Sequence, residues 1–341
     1  MKYFRFLLAP FALVYGLIMT IRNILFAFGF LECKQYKTPT VGVGNLSMGG
    51  TGKSVVIDYL INTLKSKYKT ATLSRGYGRS SKGFVLANSN ATAENIGDEP
   101  YQFYKKHPEI TISVSEKRSI GLEALEQLPQ KSEVILLDDV LQHRWVKADF
   151  MILTTSYEKP FFKDFLFPVG SLRETRNGVN RADLILITRS PSDLTQNDKL
   201  LFLTNIKLNK NLPVFFTSIS YAEHLIGAGA SIPLKSLDKE GFVLVTGIAD
   251  PSHLIDYLNK SGYSFEHMRF NDHHNFSSTD CNAILEKAAG KRILTTEKDF
   301  GRLAPKLATD QLFYLEISLV FSNKKEKKEF NAVIESAIKS S

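Results

Sequence analysis

The chain is 341 residues long, 43% hydrophobic and 23% charged, with a formal net charge of +8. This composition reads as globular, with length for two α/β domains, and its positive excess favours an acidic partner such as a nucleotide, a nucleic acid or the anionic face of a membrane. Only two cysteines occur, Cys33 and Cys281, which excludes a disulfide framework or a four-cysteine zinc site and points to a reducing compartment.

Residues 1–31 stand apart from the rest. Lys2 and Arg5 precede an apolar run from Phe6 to Met19, Arg22 interrupts it, and Ile24 to Leu31 resume it. A cleaved export signal would separate the remaining chain from nucleotide, and Glu32 immediately before Cys33 argues against a lipoprotein signal. A spanning helix needs about 20 apolar residues and would bring Arg22 near mid-membrane at a cost of roughly 3 kcal/mol. Lys2, Arg5, Lys34 and Lys37 put positive charge at both ends, which suits a helix lying in or dipping into one leaflet. The plain alternative is a buried core helix.

From Pro39 onward, short β-branched runs alternate with helical stretches, the pattern of a mostly parallel sheet wrapped by helices. The predicted strands are Thr40 to Gly44, Thr70 to Ser74, Ile110 to Val114, Val134 to Asp138, Phe150 to Thr154 and Leu184 to Thr188. Ser156 to Arg181 is irregular, with Pro160, Pro168, Gly170 and Gly178, and a loop that long in a compact domain reads as a functional lid. A helix is expected around Asp193 to Asn205. Val214 to Leu237 then reads as extended strands with a Gly-Ala-Gly turn at Gly227 to Gly229. A second α/β set follows: strands Phe242 to Gly247, Ser264 to Phe270, Arg292 to Thr295 and Leu312 to Ile317, and helices Pro251 to Lys260 and Ser278 to Ala289. The lysine-rich Lys324 to Lys328 opens a terminal helix. The expected division is an N-terminal membrane-associated helix over 1–34, a P-loop domain over 35–210, an extended linker over 211–238 and a smaller α/β domain over 239–341.

The first strand runs into Gly44-Asn45-Leu46-Ser47-Met48-Gly49-Gly50-Thr51-Gly52-Lys53-Ser54, followed by a helical Val55 to Ser66. Strand, glycines, Lys-Ser and helix in that order make a phosphate-binding loop. Gly49, Gly50, Thr51 and Gly52 turn backbone N–H groups toward phosphate oxygens, Lys53 reaches the β/γ-phosphates, and the Ser54 hydroxyl suits Mg²⁺. Ser47 stands where the consensus has its first glycine. Val134-Ile135-Leu136-Leu137-Asp138-Asp139 is an apolar strand ending in two carboxylates, one of which is expected to help hold Mg²⁺ across the β- and γ-phosphates; the pattern does not choose between Asp138 and Asp139.

At this point the chain resembles the tetraacyldisaccharide 4'-kinase (lipid A 4'-kinase) family. The P-loop is joined by Ser74-Arg75-Gly76-Tyr77-Gly78-Arg79, Gly97-Asp98-Glu99-Pro100, Asp138-Asp139-Val140-Leu141-Gln142-His143-Arg144, Gly170-Ser171-Leu172-Arg173-Glu174, Asp272-His273-His274 and Thr296-Glu297-Lys298-Asp299. Val140 and Ser171 replace a usual glycine and proline. The resemblance implies ATP and Mg²⁺ as cofactors and the cytoplasmic face of the inner membrane as location. The implied substrate is the 4'-hydroxyl of a lipid A disaccharide 1-phosphate precursor. It also implies Asp98 as the base, assisted by His273 from the second domain. On the residues alone Asp98 reads as a helix N-cap ahead of Glu99-Pro100, and His273 and His274 read as surface residues.

Guanidinium groups suit phosphate, so Arg75, Arg79, Arg118, Arg144 and Arg173 are candidates for the substrate phosphate or for charge neutralisation during transfer. Arg173 and His143 come first as catalytic, Arg75 and Arg118 as substrate-binding, and Tyr77 is a candidate to pack on the sugar. Partners from two domains would require closure to assemble the site and exclude water. The competing reading is a membrane-associated P-loop ATPase switch, which often has a lysine before the Gly-Gly, where this chain has Met48. A guanine motif fails at Glu297, and no nucleic-acid signature or protein-partner motif is identifiable.

Overall fold

The computed structural model describes residues 3–206, 211–227, 229–237, 241–307 and 309–341. Lys2, Ala228 of the expected Gly-Ala-Gly turn, and residues 207–210 and 238–240 at the expected domain boundaries lie outside the described residues.

The strands are β1 (Thr40–Gly44), β2 (Thr70–Ser74), β3 (Val85–Leu86), β4 (Thr111–Val114), β5 (Val134–Asp138), β6 (Phe150–Ser156), β7 (Leu184–Thr188), β8 (Val214–Gly227), β9 (Ser231–Pro233), β10 (Phe242–Thr246), β11 (Phe265–Arg269), β12 (Ile293–Thr296) and β13 (Leu312–Phe321). The helices are α1 (Ala9–Ala27), α2 (Lys53–Leu64), α3 (Ala93–Ile96), α4 (Asp98–Lys106), α5 (Arg118–Glu126), α6 (Gln196–Thr204), α7 (Ser252–Lys260), α8 (Ser278–Ala288), α9 (Glu297–Leu303) and α10 (Lys324–Ser340).

One sheet runs through the molecule in the order β11-β10-β12-β13-β8-β7-β6-β1-β5-β2-β4-β3, with β9 beside β8. The central strands are buried on both faces and pair in parallel, as continuous apolar runs in a helix-covered sheet do. The expected connecting segment is a ladder strand: residues 214–216 of β8 run parallel to β7, and residues 217–227 pair antiparallel with β13. The two halves therefore share a hydrogen-bonded seam. The terminal helix departs from the expected division, because Phe330, Ile334 and Ile338 of α10 lie in the core with Val41, Ile57 and Leu60 of the first half. Their spacing of four puts one apolar stripe on that face.

Helix α1 is not a core helix. The stretch Arg5–Ala27 is long and apolar enough to cross a membrane, and 11% of its most apolar window is buried. Its inward residues, Ala12, Tyr15, Gly16, Asn23 and Phe26, recur at helical spacing and lie along the protein body, leaving Leu13, Leu17 and Ile24 exposed.

Behind the sheet edge, α2 and α4 meet at a buried charge cluster. Asp58 is 7% exposed; its Oδ1 lies 2.7 Å from His107 Nε2 and its Oδ2 3.1 Å from Lys106 Nζ. Burial pushes the Asp58 carboxyl up, but the His107 hydrogen bond and the Lys106 charge outweigh it and hold the group below the usual carboxylate range. A depressed carboxyl stabilises the fold above its unfolded pKa near 3.9, and that stability is lost as pH falls through the folded value. Asp58→Asn is expected to cost about 1–3 kcal/mol at pH 7 in guanidinium melts, with the gap to wild type narrowing as the pH falls below the ordinary carboxylate range. Phe330→Ala is expected to cost about 3–5 kcal/mol in the same assay, since it opens a cavity in the shared core.

Candidate active site

Because β1 pairs in parallel with β5 on one side and β6 on the other, the C-terminal ends of all three meet at one edge, with Val43 opposite Asp138. This is the switch point of the first half, where open α/β sheets bind ligands. The loop from Asn45 to Gly52 leaves β1 there and enters α2, whose N-cap Gly52 has φ 77°, a left-handed conformation that disfavours a side chain. Ser47, the departure from consensus, instead sits in an antiparallel bridge with Leu172. Val140 fills the space beside Gly42, where a Cβ would lie 2.7 Å from its Cγ1.

Four side chains interlock over this loop. Lys53 Nζ donates to Asn45 Oδ1 at 3.0 Å and lies 3.5 Å from Asp139 Oδ1. Arg173 grips Asp139 with both Nη atoms at 2.9 Å and also bonds Asn45 Oδ1. Asp139 is held at φ 49°. Burial opposes its charge, but Lys53 and Arg173 bring its pKa down to about 2. Its neighbour goes the other way: burial and the Asp139 charge push Asp138 up to about 6, and Asp138 Oδ1 is buried with no hydrogen-bond partner. An orphaned carboxylate oxygen beside a phosphate-binding loop fits a divalent cation. Among the described residues no cluster of three metal-type side chains occurs, so such an ion would take its remaining ligands from Ser54, phosphate and water.

Segment 156–181, expected as a lid, contains short 3-10 turns at Phe161–Lys163 and Arg176–Arg181 and is docked on the P-loop. Met48 N donates to Ser171 O at 2.7 Å and Arg173 N to Leu46 O at 2.8 Å. Glu174, 1% exposed, takes both Nη atoms of Arg181 at 2.7 Å and Gln142 Nε2 at 2.9 Å, and the same Nε2 is 2.9 Å from Asn45 O. Helix α1 joins this network: Tyr15 Oη donates to Arg173 O at 2.6 Å, Asn23 Nδ2 to Glu174 Oε2 at 3.1 Å, and Arg22 to Gln142 O at 3.1 Å.

On the other side, Asp98 opens α4 and Gly97 is its N-cap. Gly97 has φ 95°, and a Cβ there would lie 3.0 Å from the Gly76 backbone, so the 76–78 loop and the Asp98 turn pack glycine on glycine. The Asp98 carboxylate is not spent on capping. Its Oδ2 lies 2.8 Å from His273 Nδ1 and 3.7 Å from Arg302 Nη1, both from the second half. Burial raises its pKa, but the His273 hydrogen bond and the Arg302 and Lys298 charges outweigh that and lower it. Lys298 Nζ lies 3.2 Å from His273 Nε2 and 2.9 Å from Glu99 Oε1, and Glu99 is close enough to raise Asp138.

Of the other expected residues, Tyr77 is 68% exposed and its ring centroid lies 5.2 Å from that of His273. Arg75 is exposed on the same loop. His143 is brought down to about 4 by burial and by Arg118 and Arg75, so it is neutral at physiological pH. Arg118 differs from expectation: it is 2% exposed and donates to Ser115 O at 2.8 Å and Asp138 O at 2.7 Å. It props the acidic strand end and does not reach solvent. Arg79 is committed to Glu116 at 2.7 Å and Gly83 O at 2.6 Å, and Arg144 to Asn23 O at 2.8 Å. Asn45, Gln142, Glu174 and Arg302 escaped the sequence reading; Asn45, Gln142 and Glu174 lie inside recognised motifs, while Arg302 gives no signal until the halves are assembled. Arg189 was also missed: at φ 54°, its guanidinium would lie 3.8 Å from a Cβ on Gly50.

Residues 4–339 match the family model described as Tetraacyldisaccharide-1-P 4'-kinase. The tetraacyldisaccharide 4'-kinase of Flavobacterium psychrophilum is 46% identical over 330 residues, covering 96% of this chain and 95% of the relative. That of Flavobacterium johnsoniae is 44% identical over 323 residues, covering 95% and 94%. The crystal structure of LpxK from Aquifex aeolicus in complex with ATP is similar at a TM-score of 0.78 with 30% identity, covering 98% of this chain and 99% of that one.

Arg173→Ala and Arg173→Lys are both expected to weaken nucleoside triphosphate binding by about tenfold in calorimetry, because an ammonium cannot reproduce the two-pronged grip on Asp139. Wild-type affinity in the lysine variant would show that a point charge suffices.

Proposed function

The chain belongs to the tetraacyldisaccharide-1-P 4'-kinase family and is a kinase, and from that premise we propose that it transfers the γ-phosphate of ATP to the 4'-hydroxyl of a lipid A disaccharide 1-phosphate precursor at the cytoplasmic face of the inner membrane. The observation that carries the mechanism is the 2.8 Å contact between Asp98 Oδ2 and His273 Nδ1, next to Glu99, whose charge is felt by Asp138. A sugar hydroxyl is a weak nucleophile, and a positioned carboxylate that accepts its proton contributes roughly 10²- to 10⁴-fold. Asp98 is ionised at neutral pH and takes that proton as the oxygen attacks the γ-phosphorus and the bond to the β–γ bridging oxygen breaks, releasing ADP; His273 orients Asp98 and passes the proton on to solvent. Tyr77, beside His273, offers a ring face to the sugar.

Backbone N–H groups of Gly49 to Ser54 cradle the phosphates and Lys53 follows the β/γ-phosphates. Ser54 and Asp138 would hold Mg²⁺, which would supply neutralisation of charge on the transferring group, and Asp139 stays paired with Lys53 and Arg173. Arg173 fixes the Asp139 carboxylate and Asn45 so that Lys53 is preset, and Arg75 and neutral His143 face the acceptor side. Helix α1 carries its apolar face into one leaflet; its contacts with the protein body run along its length, which favours lying in the interface over spanning.

With labelled ATP, Mg²⁺ and a disaccharide lipid acceptor, the purified protein is expected to yield phosphorylated lipid, and its absence would overturn the reading. Asp98→Asn is expected to lower transfer by about 10²-fold or more with ATP affinity nearly unchanged; undiminished turnover would exclude Asp98 as base.

A further inference from the structure

Between β6 and β7 the chain makes a tight turn outside the cleft that the transfer mechanism does not use. Leu166 of this turn is tucked inward, so close to α1 that a Cβ on Gly16 would lie 2.6 Å from its Cδ1. Its neighbours Phe165 and Phe167 are 52% and 44% exposed. Each meets a ring of the N-terminal segment edge-on: Phe165 with Phe6 at 5.8 Å between centroids, Phe167 with Tyr15 at 6.1 Å. They continue the apolar face on which Phe11 and Leu17 are 67% and 61% exposed, but from a stretch of chain far away in sequence. Lys163 and Arg176 flank the turn and are exposed. The turn is also stiff. Phe167 N donates to Leu172 O at 3.0 Å, Leu172 N to Phe165 O at 2.9 Å and Gly170 N to Leu166 O at 2.9 Å, and the Asp164 carboxylate takes the backbone N–H and the hydroxyl of Ser171.

We infer that this turn is a second lipid-facing anchor, with Phe165 and Phe167 seated in the interfacial region of a phospholipid bilayer beside α1 and Lys163 and Arg176 against its anionic headgroups. The inference rests on the membrane reading of α1. A lipid surface is the occupant because the two rings extend the helix's own apolar face and are edged by basic residues, the arrangement of an apolar face seated at the headgroup boundary. A single helix lying on a bilayer leaves the protein free to roll about the helix axis. A second contact off that axis fixes the plane. Since Ser171 accepts from Met48 N and Arg173 N donates to Leu46 O, the same stiff turn fixes the P-loop relative to that plane.

The test uses the full chain and vesicles of phosphatidylethanolamine with phosphatidylglycerol. The Phe165→Ser, Phe167→Ser double variant is expected to float with vesicles about tenfold more weakly than wild type, with the same melting temperature. Unchanged flotation would overturn the inference while leaving α1 as an anchor. Wild type that does not float at all would overturn the membrane reading and this inference with it. A second measurement avoids reliance on the polar variant. The chain has a single tryptophan, so Trp145→Phe combined with Phe167→Trp places the only indole on the turn. Quenching of its emission by vesicles containing dibrominated phosphatidylcholine supports seating in lipid, and unquenched emission from vesicle-bound protein refutes it.

Discussion

The bidentate contact of Arg173 with Asp139 is the constraint on which the rest of the sheet edge depends. Arg173 comes from segment 156–181 and Asp139 from the end of β5; Arg173 also bonds Asn45 of the P-loop, and Asp139 pairs with Lys53, which itself donates to Asn45. One guanidinium therefore sets three backbone segments at once. A planar group with two parallel donors does this better than a flexible ammonium, because little freedom is left once the fork is engaged. The cost is a left-handed Asp139, which only a surrounding network that over-determines it would hold.

That network extends directly into the apolar helix. Tyr15 on the Arg173 carbonyl, Asn23 on Glu174 and Arg22 on the Gln142 carbonyl leave no independent layer between α1 and the phosphate-binding loop. Arg22 and Asn23, the polar break in the apolar run, are used here. Arg22 and Arg144 stack over Phe26 at 5.4 and 5.1 Å, so the charge that makes a transmembrane placement costly is spent on docking the helix to the protein.

Much of this was legible in the sequence. Every strand expected in the first half appears, because parallel strands buried on both faces write themselves as apolar runs bounded by glycine and charge. The P-loop and the acidic pair were legible because their chemistry lies in contiguous residues. Three things were not. The destination of α10 depends on a shared core far away in sequence. Arg118 was expected to bind the substrate phosphate, and only the assembled sheet shows it buried under the Asp138 strand end. Asp98 read as an N-cap because its partners, His273 and Arg302, lie in another half of the chain; contact between residues so far apart leaves no periodicity to read. Ser47, where the phosphate-loop consensus has glycine, sits in an extended bridge with Leu172, and Val140, where the family has glycine, packs against Gly42.

The position of Asp98 is set from both ends of a short rod. Helix α4 has nine residues, about 13 Å of rise, with Asp98 and Glu99 at its start and Lys106 at its end. The start is tied to the second half through His273 and Lys298. The end lies 3.8 Å from Glu297 and 3.3 Å from Glu316, again of the second half, and 3.1 Å from Asp58 of the first. Burial pushes Glu297 up to about 7 against the pull of Lys106, so this inner cluster holds its full charge only narrowly at neutral pH. Swinging the halves apart would break ion contacts at both ends of α4 as well as the β8–β13 ladder, and would leave buried charge uncompensated. The arrangement is thus the assembled one, with the two halves held together at both ends of α4.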